Sequence, residues 1–226
     1  MFTSPKSAGS SYGSHSSPRR AFDSSYSCIR QNQARNAPEE TLHIRLYDRA
    51  QIRSETLRWA TAETSRIFRT AGIKIEWEQP PVESSEDCVL DMSSRLAPRT
   101  RPERHYLLIR ILPTTPATVF PGALGFALPF AQTGAHVVIF YDRIADTAQS
   151  WDVTPYVALG CAMAHEIAHV LLRSSDHSSV GLKQANWNRA SWRLASEHLL
   201  AFLPEQKSRM RQRVLRFSSP ENCHRA

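Results

Sequence analysis

The sequence predicts an α+β domain, a mixed β-sheet of about five strands with helices packed against it. Three observations lead there. Short segments of alternating or continuous apolar character recur between residues 41 and 142, one amphipathic helix interrupts them after the first, and a long apolar helix follows the last.

Taken in order, residues 1 to 40 are rich in Ser, Arg, Gly and Pro and poor in branched aliphatics. Such a segment buries too little apolar area to offset its ordering entropy, so it reads as disordered. "TLHIRLYDR" (41–49) sets Leu42, Ile44 and Leu46 against polar neighbours, the pattern of a half-buried strand. "RSETLRWATAETSRIFRTAGI" then carries Leu57, Ala60, Thr64, Ile67 and Phe68 at helical spacing, with Ser54 as its expected cap and Gly72 as its expected stop. "IKIEWE" (73–78) alternates again. Residues 79–104 are Pro-rich, charged and aperiodic, and read as a long surface loop.

"HYLLIRILP" (105–113) is apolar enough to lie in the middle of a sheet. "ALGFALPF" (123–130) and "AHVVIFYD" (135–142) read as two further strands. Thr154-Pro155 supplies an N-cap followed by proline at the first helical position, opening a helix that runs to about Leu172. A further helix is expected near 187–201 and a basic one near 205–216. The expected organisation is therefore a leader (1–40), a single domain (41–204) and a basic C-terminal helix or tail (205–226).

At 226 residues and 41% apolar content the chain suffices for one ordinary domain with a real core. No apolar run approaches the ~20 residues of a membrane-crossing helix. The first forty residues lack the apolar stretch of a secretory signal, so the chain reads as soluble and cytoplasmic as written, and as exported if its true start lies upstream. The net charge of +7 comes from scattered arginines, among them Arg99, Arg101, Arg104, Arg209, Arg211 and Arg213. Scattered charge reads as a solvated basic surface and argues against a nucleic-acid site. None of the four cysteines forms a CxxC pair. Cys161 reads as a packed thiol, while Cys28, Cys88 and Cys223 are free to pair in an oxidising compartment without the sequence choosing partners.

The chemistry concentrates in "AMAHEIAHVLLRSSDHSSVGLKQANW" (162–187). On a helix, His165 and His169 lie one turn apart and project from the same face, so two imidazoles can bind one Zn²⁺ from a rigid platform. Glu166, beside the first, reaches a zinc-activated water without being a ligand and serves as general base. Zinc lowers the pKa of that water toward ~7 and polarises a carbonyl. A third protein ligand is needed. His177 is the better candidate because "RSSDH" returns it beyond the helix end, with Asp176 as the alternative ligand or as an orienting partner. A glutamate between two histidines is hard to bury unpaired, which weighs against a purely structural histidine pair. His43, His105, His136 and His198 have no partner motif and read as structural or exposed. Trp187 and Trp192 read as core.

"HEIAHVLL…H…GL" resembles the metzincin side of the zincin zinc metallopeptidases. It is more similar to uncharacterised zincin-like bacterial proteins with HExxH, a third histidine eight residues on and a Gly-Ile-Met-like turn ending near a tryptophan. "AETSRIFRTAGIKIEW", "LLIRILP" and "LGFALP…AHVVIFYDRI" extend the likeness over about residues 41 to 200. The resemblance implies a zincin fold, Zn²⁺ on His165, His169 and His177, Glu166 as base, and a peptide substrate added to the edge strand Leu124-Gly125-Phe126-Ala127.

The sequence departs from that pattern twice. Leu172 and Arg173 stand where glycine makes the turn after the helix, so "RSSD" must turn without a residue suited to positive φ. Lys183 stands where a methionine underlies the zinc ligands. An ammonium in a dry floor is costly and repels Zn²⁺. Either Leu182 fills the floor while Lys183 points outward, or the site is weakened into a zinc-containing binding module.

Overall fold

In the computed structural model, residues 40–78, 106–118, 121–131 and 136–218 are described. The predicted leader up to residue 39, the 79–104 loop, His105, Cys28, Cys88 and Cys223 lie outside them, and Glu40, assigned to the leader, opens the first strand. Among the described residues the order is β1 (Glu40–Asp48), α1 (Ser54–Arg69), β2 (Ile73–Glu78), β3 (Leu107–Leu112), β4 (Gly125–Ala127), β5 (Val137–Phe140), α2 (Tyr141–Trp151), α3 (Pro155–Leu172), α4 (Arg189–Ser196) and α5 (Pro204–Ser218).

The strands form one sheet ordered β2-β1-β3-β5-β4. β2, β1, β3 and β5 run parallel, and β4 pairs antiparallel with β5 at the end of the sheet. The fold is thus α+β with a mixed sheet, and β3 occupies the middle position that its apolar sequence predicts. Alternation decides which way each strand faces. Leu42, Ile44 and Leu46 of β1 and Leu107, Ile109 and Ile111 of β3 are buried. The intervening positions carry a polar ladder in which Arg45 Nε donates to Glu78 (2.8 Å) and the Arg45 guanidinium stacks 4.3 Å over Tyr106. His43 joins it through Glu76 (3.3 Å), while the His136 Nδ1 atom accepts the Leu108 amide (3.1 Å). Both histidines hold the sheet together, in keeping with a structural role.

α3 is apolar on nearly every face because it is enclosed on nearly every face: fourteen of its eighteen residues are buried. Its closest neighbour is α1. Small residues set that approach. The Thr64 hydroxyl of α1 lies 3.0 Å from both the Gly160 and Ala60 carbonyl oxygens. A Cβ on Gly160 would meet the Ala60 carbonyl oxygen and Glu63 Cβ at 2.9 Å each. Gly160→Ala therefore forces the two helices apart, and thermal or urea unfolding should show a loss of about 1–3 kcal/mol. Unchanged stability would mean that the helices separate freely here.

Nearby, Glu63 is buried and held by three bonds. The Arg66 Nη2 and Nε atoms reach its two oxygens at 2.7 and 2.9 Å, and the His198 Nδ1 atom reaches it at 2.8 Å. This gives His198 a structural partner that its sequence context did not name. α5 adds Met210 and Val214 to the same core, so part of the segment set apart at 205–226 is built into the domain.

Three local expectations are corrected. Ser54 is the first helical residue, the cap position falls on Arg53, and no side chain bonds there. Thr154 does occupy the cap of α3 with Pro155 behind it, but its hydroxyl makes no capping bond. The strand expected to run through Asp142 ends at Phe140, and Tyr141 starts α2 directly. Strand and helix share a junction with no loop, so no turn signal separates them. Ile144 and Ala148, four apart and buried, are the helical period that the strand reading passed over.

Candidate metal centre

α3 delivers His165, Glu166 and His169 in its last two turns, at the wall of a cleft of about 650 Å³. The opposite wall is β4 with the segment before it, and Trp151 at the end of α2 also lines the space. The helix stops at Arg173, which itself takes the left-handed conformation (φ 49°, ψ 47°) that sequence reasoning reserved for glycine. Its N–H reaches the Val170 carbonyl at 3.2 Å, and the Ser174 N–H reaches the His169 carbonyl at 3.2 Å. Two backbone bonds thus close the turn, at a conformational cost of about 1–2 kcal/mol for a side chain in that region.

The reversal brings His177 back over the helix. Its ring centroid lies 4.8 Å from that of His169 and 5.2 Å from that of His165. One nitrogen from each of the three rings lies within 4.8 Å of the others. Asp176, the alternative ligand, stands outside this group and takes a bond from the Ser174 hydroxyl (2.7 Å).

Backbone carbonyls fix the two helical imidazoles. The His165 Nδ1–H donates to the Leu182 carbonyl (2.8 Å) and the His169 Nδ1–H to the Ser174 carbonyl (2.7 Å). These acceptors assign the tautomers: both Nε2 atoms carry lone pairs. The two Nε2 atoms face each other at 3.0 Å. Two lone pairs that close repel unless a cation lies between them. Nitrogens of a tetrahedral zinc site stand about 3.3 Å apart, given Zn–N bonds near 2.0–2.1 Å. The donor set of His165, His169 and His177 therefore fits a zinc ion.

Burial sets the proton balance. It pushes His165 down to about 3 and His169 down to about 4, and it lowers His177 as well, so the imidazoles are neutral at pH 7. The Glu166 carboxyl is pushed up to about 7 by burial, against the pull of the Lys183 ammonium.

Several supporting groups carried no signature in the sequence. The Leu182 carbonyl also accepts the Trp187 indole N–H (3.1 Å), and the Trp187 ring meets His165 edge-on at 5.6 Å. Trp192 backs Trp187 at 5.0 Å. Trp187, read as core, is thus a prop for a histidine. Leu182 reaches its place because Gly181 (φ 77°) lets the backbone pass the Ala201 carbonyl oxygen, which a Cβ would meet at 2.8 Å. Main-chain carbonyls leave no trace in residue identity, so these acceptors were not readable.

Lys183 points inward. It is 1% exposed, with Nζ 2.7 Å from His169 Nε2 and 2.6 Å from His169 Nδ1. Being this close to both ring nitrogens at once, Nζ lies against the ring and off the in-plane lone pair of either. Burial lowers the ammonium to about 8, with the Glu166 and Asp176 carboxylates acting to hold it up. Leu182 is buried too, at 0% exposed, so both residues fill the floor. Cys161, fully buried, has its thiol pushed up by that burial and is the packed residue predicted.

No protein-family model matches the chain, and no curated protein matches it in sequence. Among solved structures, archaemetzincin from Methanopyrus kandleri aligns with a TM-score of 0.46 at 12% identity, over 80% of this chain and 99% of that one.

Proposed function

We propose that the chain is a zinc-dependent peptidase that cleaves extended peptides laid along β4, with Glu166 as general base. The convergence of three imidazole nitrogens beside a half-buried carboxylate, in a cleft walled by a sheet edge, supports this reading best.

His165, His169 and His177 would hold the zinc, which would supply Lewis acidity to a scissile carbonyl and make a water more acidic. Glu166 titrates near neutrality, so its carboxylate takes a proton from water and returns it to the departing amine. β4 offers the peptide a main-chain template. Leu124 bonds to Phe140 of β5 and Leu128 to His136 just before it, so by alternation the N–H and C=O groups of Gly125 and Ala127 face away from β5. An extended substrate can add there as a further strand.

Incubation with a mixed peptide library tests the reading. Turnover should be abolished by a chelator and restored by zinc. The buried Lys183 ammonium at His169 favours a second reading, a zincin-like binding module without turnover. Zinc-loaded protein that cleaves nothing in the library would establish that reading in place of the first.

A further inference from the structure

β4 is three residues long and, among the described residues, pairs in the sheet with β5 alone. So short an edge strand is held by few ladder bonds, and other contacts must help to set its place across the cleft from α3. A Cβ on Gly125 would meet the Val138 carbonyl oxygen at 2.5 Å, so β4 also lies tight on β5 and a small displacement of it is felt.

The connection from β3 to β4 is tied at both ends to the first turn of α2. Near its start, the Thr115 N–H and hydroxyl both donate to the Asp142 carboxylate, at 2.8 Å each. The Arg143 N–H donates to the same carboxylate at 2.9 Å. Thr115 is half-buried while Pro113, Thr114, Pro116 and Ala117 are exposed, so the stretch is tied down at this residue. Near its end, Arg143 Nη1 donates to the Ala123 carbonyl at 2.7 Å, a short charge-assisted bond. A second path runs through rings. The Arg143 guanidinium lies 5.7 Å from the centre of the Phe140 ring, which meets Phe126 of β4 at 6.0 Å. Ala123, Leu124 and Phe126 line the cleft, whereas Asp142 and Arg143 stand behind that wall. Buried Ile144 and Ala148 fix α2 itself against the core.

We infer that Arg143 is a positioning residue for the peptide: by holding the Ala123 carbonyl it sets the distance of β4, and of a strand added to β4, from the imidazoles on α3. The inference rests on the peptidase reading given above, in which β4 is the main-chain template. A displaced template weakens the hold on the peptide in the ground state and the transition state alike, so the loss falls on KM. The three histidines and Glu166 stand on α3 and the turn after it, away from this clamp.

Steady-state hydrolysis of one peptide that wild type cleaves tests the role, with zinc content and circular dichroism recorded on the same full-length proteins. Arg143→Met keeps a long stem over Phe140 and removes every donor. Its KM should rise about tenfold, with kcat within about twofold of wild type and zinc content unchanged. Arg143→Lys restores a cationic donor and should recover most of that loss. Arg58→Met, which removes an exposed guanidinium over Trp59, should match wild type. Thr115→Val deletes the hydroxyl bond at the other end of the connection, should raise KM about threefold, and decides the matter if Arg143→Met misfolds. Wild-type KM in both Arg143→Met and Thr115→Val overturns the inference and leaves the peptidase reading standing. A fall in kcat at constant KM, or loss of zinc, overturns it by giving Arg143 a different role. Equal losses in the methionine and lysine variants overturn it too, since the donor would then not matter. Wild type that cleaves no peptide removes the peptidase reading and this inference with it.

Discussion

On the proposed peptidase reading, Glu166→Gln should leave zinc content unchanged and lower peptide hydrolysis by about 10²–10⁴-fold or more. The amide has the size of the carboxyl and fits the same half-buried place on α3, so the fold and the three imidazoles stay as they are. What it removes is the proton acceptor. Burial pushes the Glu166 carboxyl up to about 7, which matches it to moving protons near neutral pH, whereas an amide has no basic site in that range. Zinc retention with loss of turnover separates the base from the ligands. Undiminished turnover would place the base elsewhere and remove Glu166 from the mechanism.

His169→Ala should have the larger effect on the metal, with zinc affinity lowered by more than about a hundredfold. His169 contributes one of three converging nitrogens, and its ring is held by the Ser174 carbonyl at 2.7 Å. The same substitution removes the buried ring against which the Lys183 ammonium lies. Deleting a buried ring leaves a cavity that costs about 2 kcal/mol or more, so the ion-free variant should also unfold more readily than the ion-free wild type. Chelator competition and thermal unfolding measure the two effects separately. His43→Ala is the control, because its ring lies in the β1–β2 ladder beside Glu76. Zinc affinity that survives His169→Ala would show that the ion is held elsewhere.

Most of the sheet was legible because period-two burial is written directly in β1, β2 and β3. The order of strands in space was not, since β4 and β5 pair across a reversal that apolar content alone does not encode. α2 was hidden for a physical reason: Phe140 passes straight into Tyr141 without a turn, so a run of apolar residues masked a change of period. At the site, the spacing of His165, Glu166 and His169 fixed one helical face, and His177 could be reached only by supposing a turn. Arg173 makes that turn at φ 49°, a conformation that residue identity does not predict for an arginine. Lys183 was the hardest residue to place. Its charge alone argues for water, and only the backbone of Gly181 and Leu182, fixed against Ala201, sends it inward.

X-ray absorption at the zinc edge of the loaded protein tests whether His165, His169 and His177 hold one zinc ion. A zinc ion on these three imidazoles should show nitrogen neighbours at about 2.0–2.1 Å with the outer-shell scattering of imidazole rings, diminished when His177 is replaced by alanine. An oxygen shell without imidazole scattering, unchanged by His177→Ala, would contradict it.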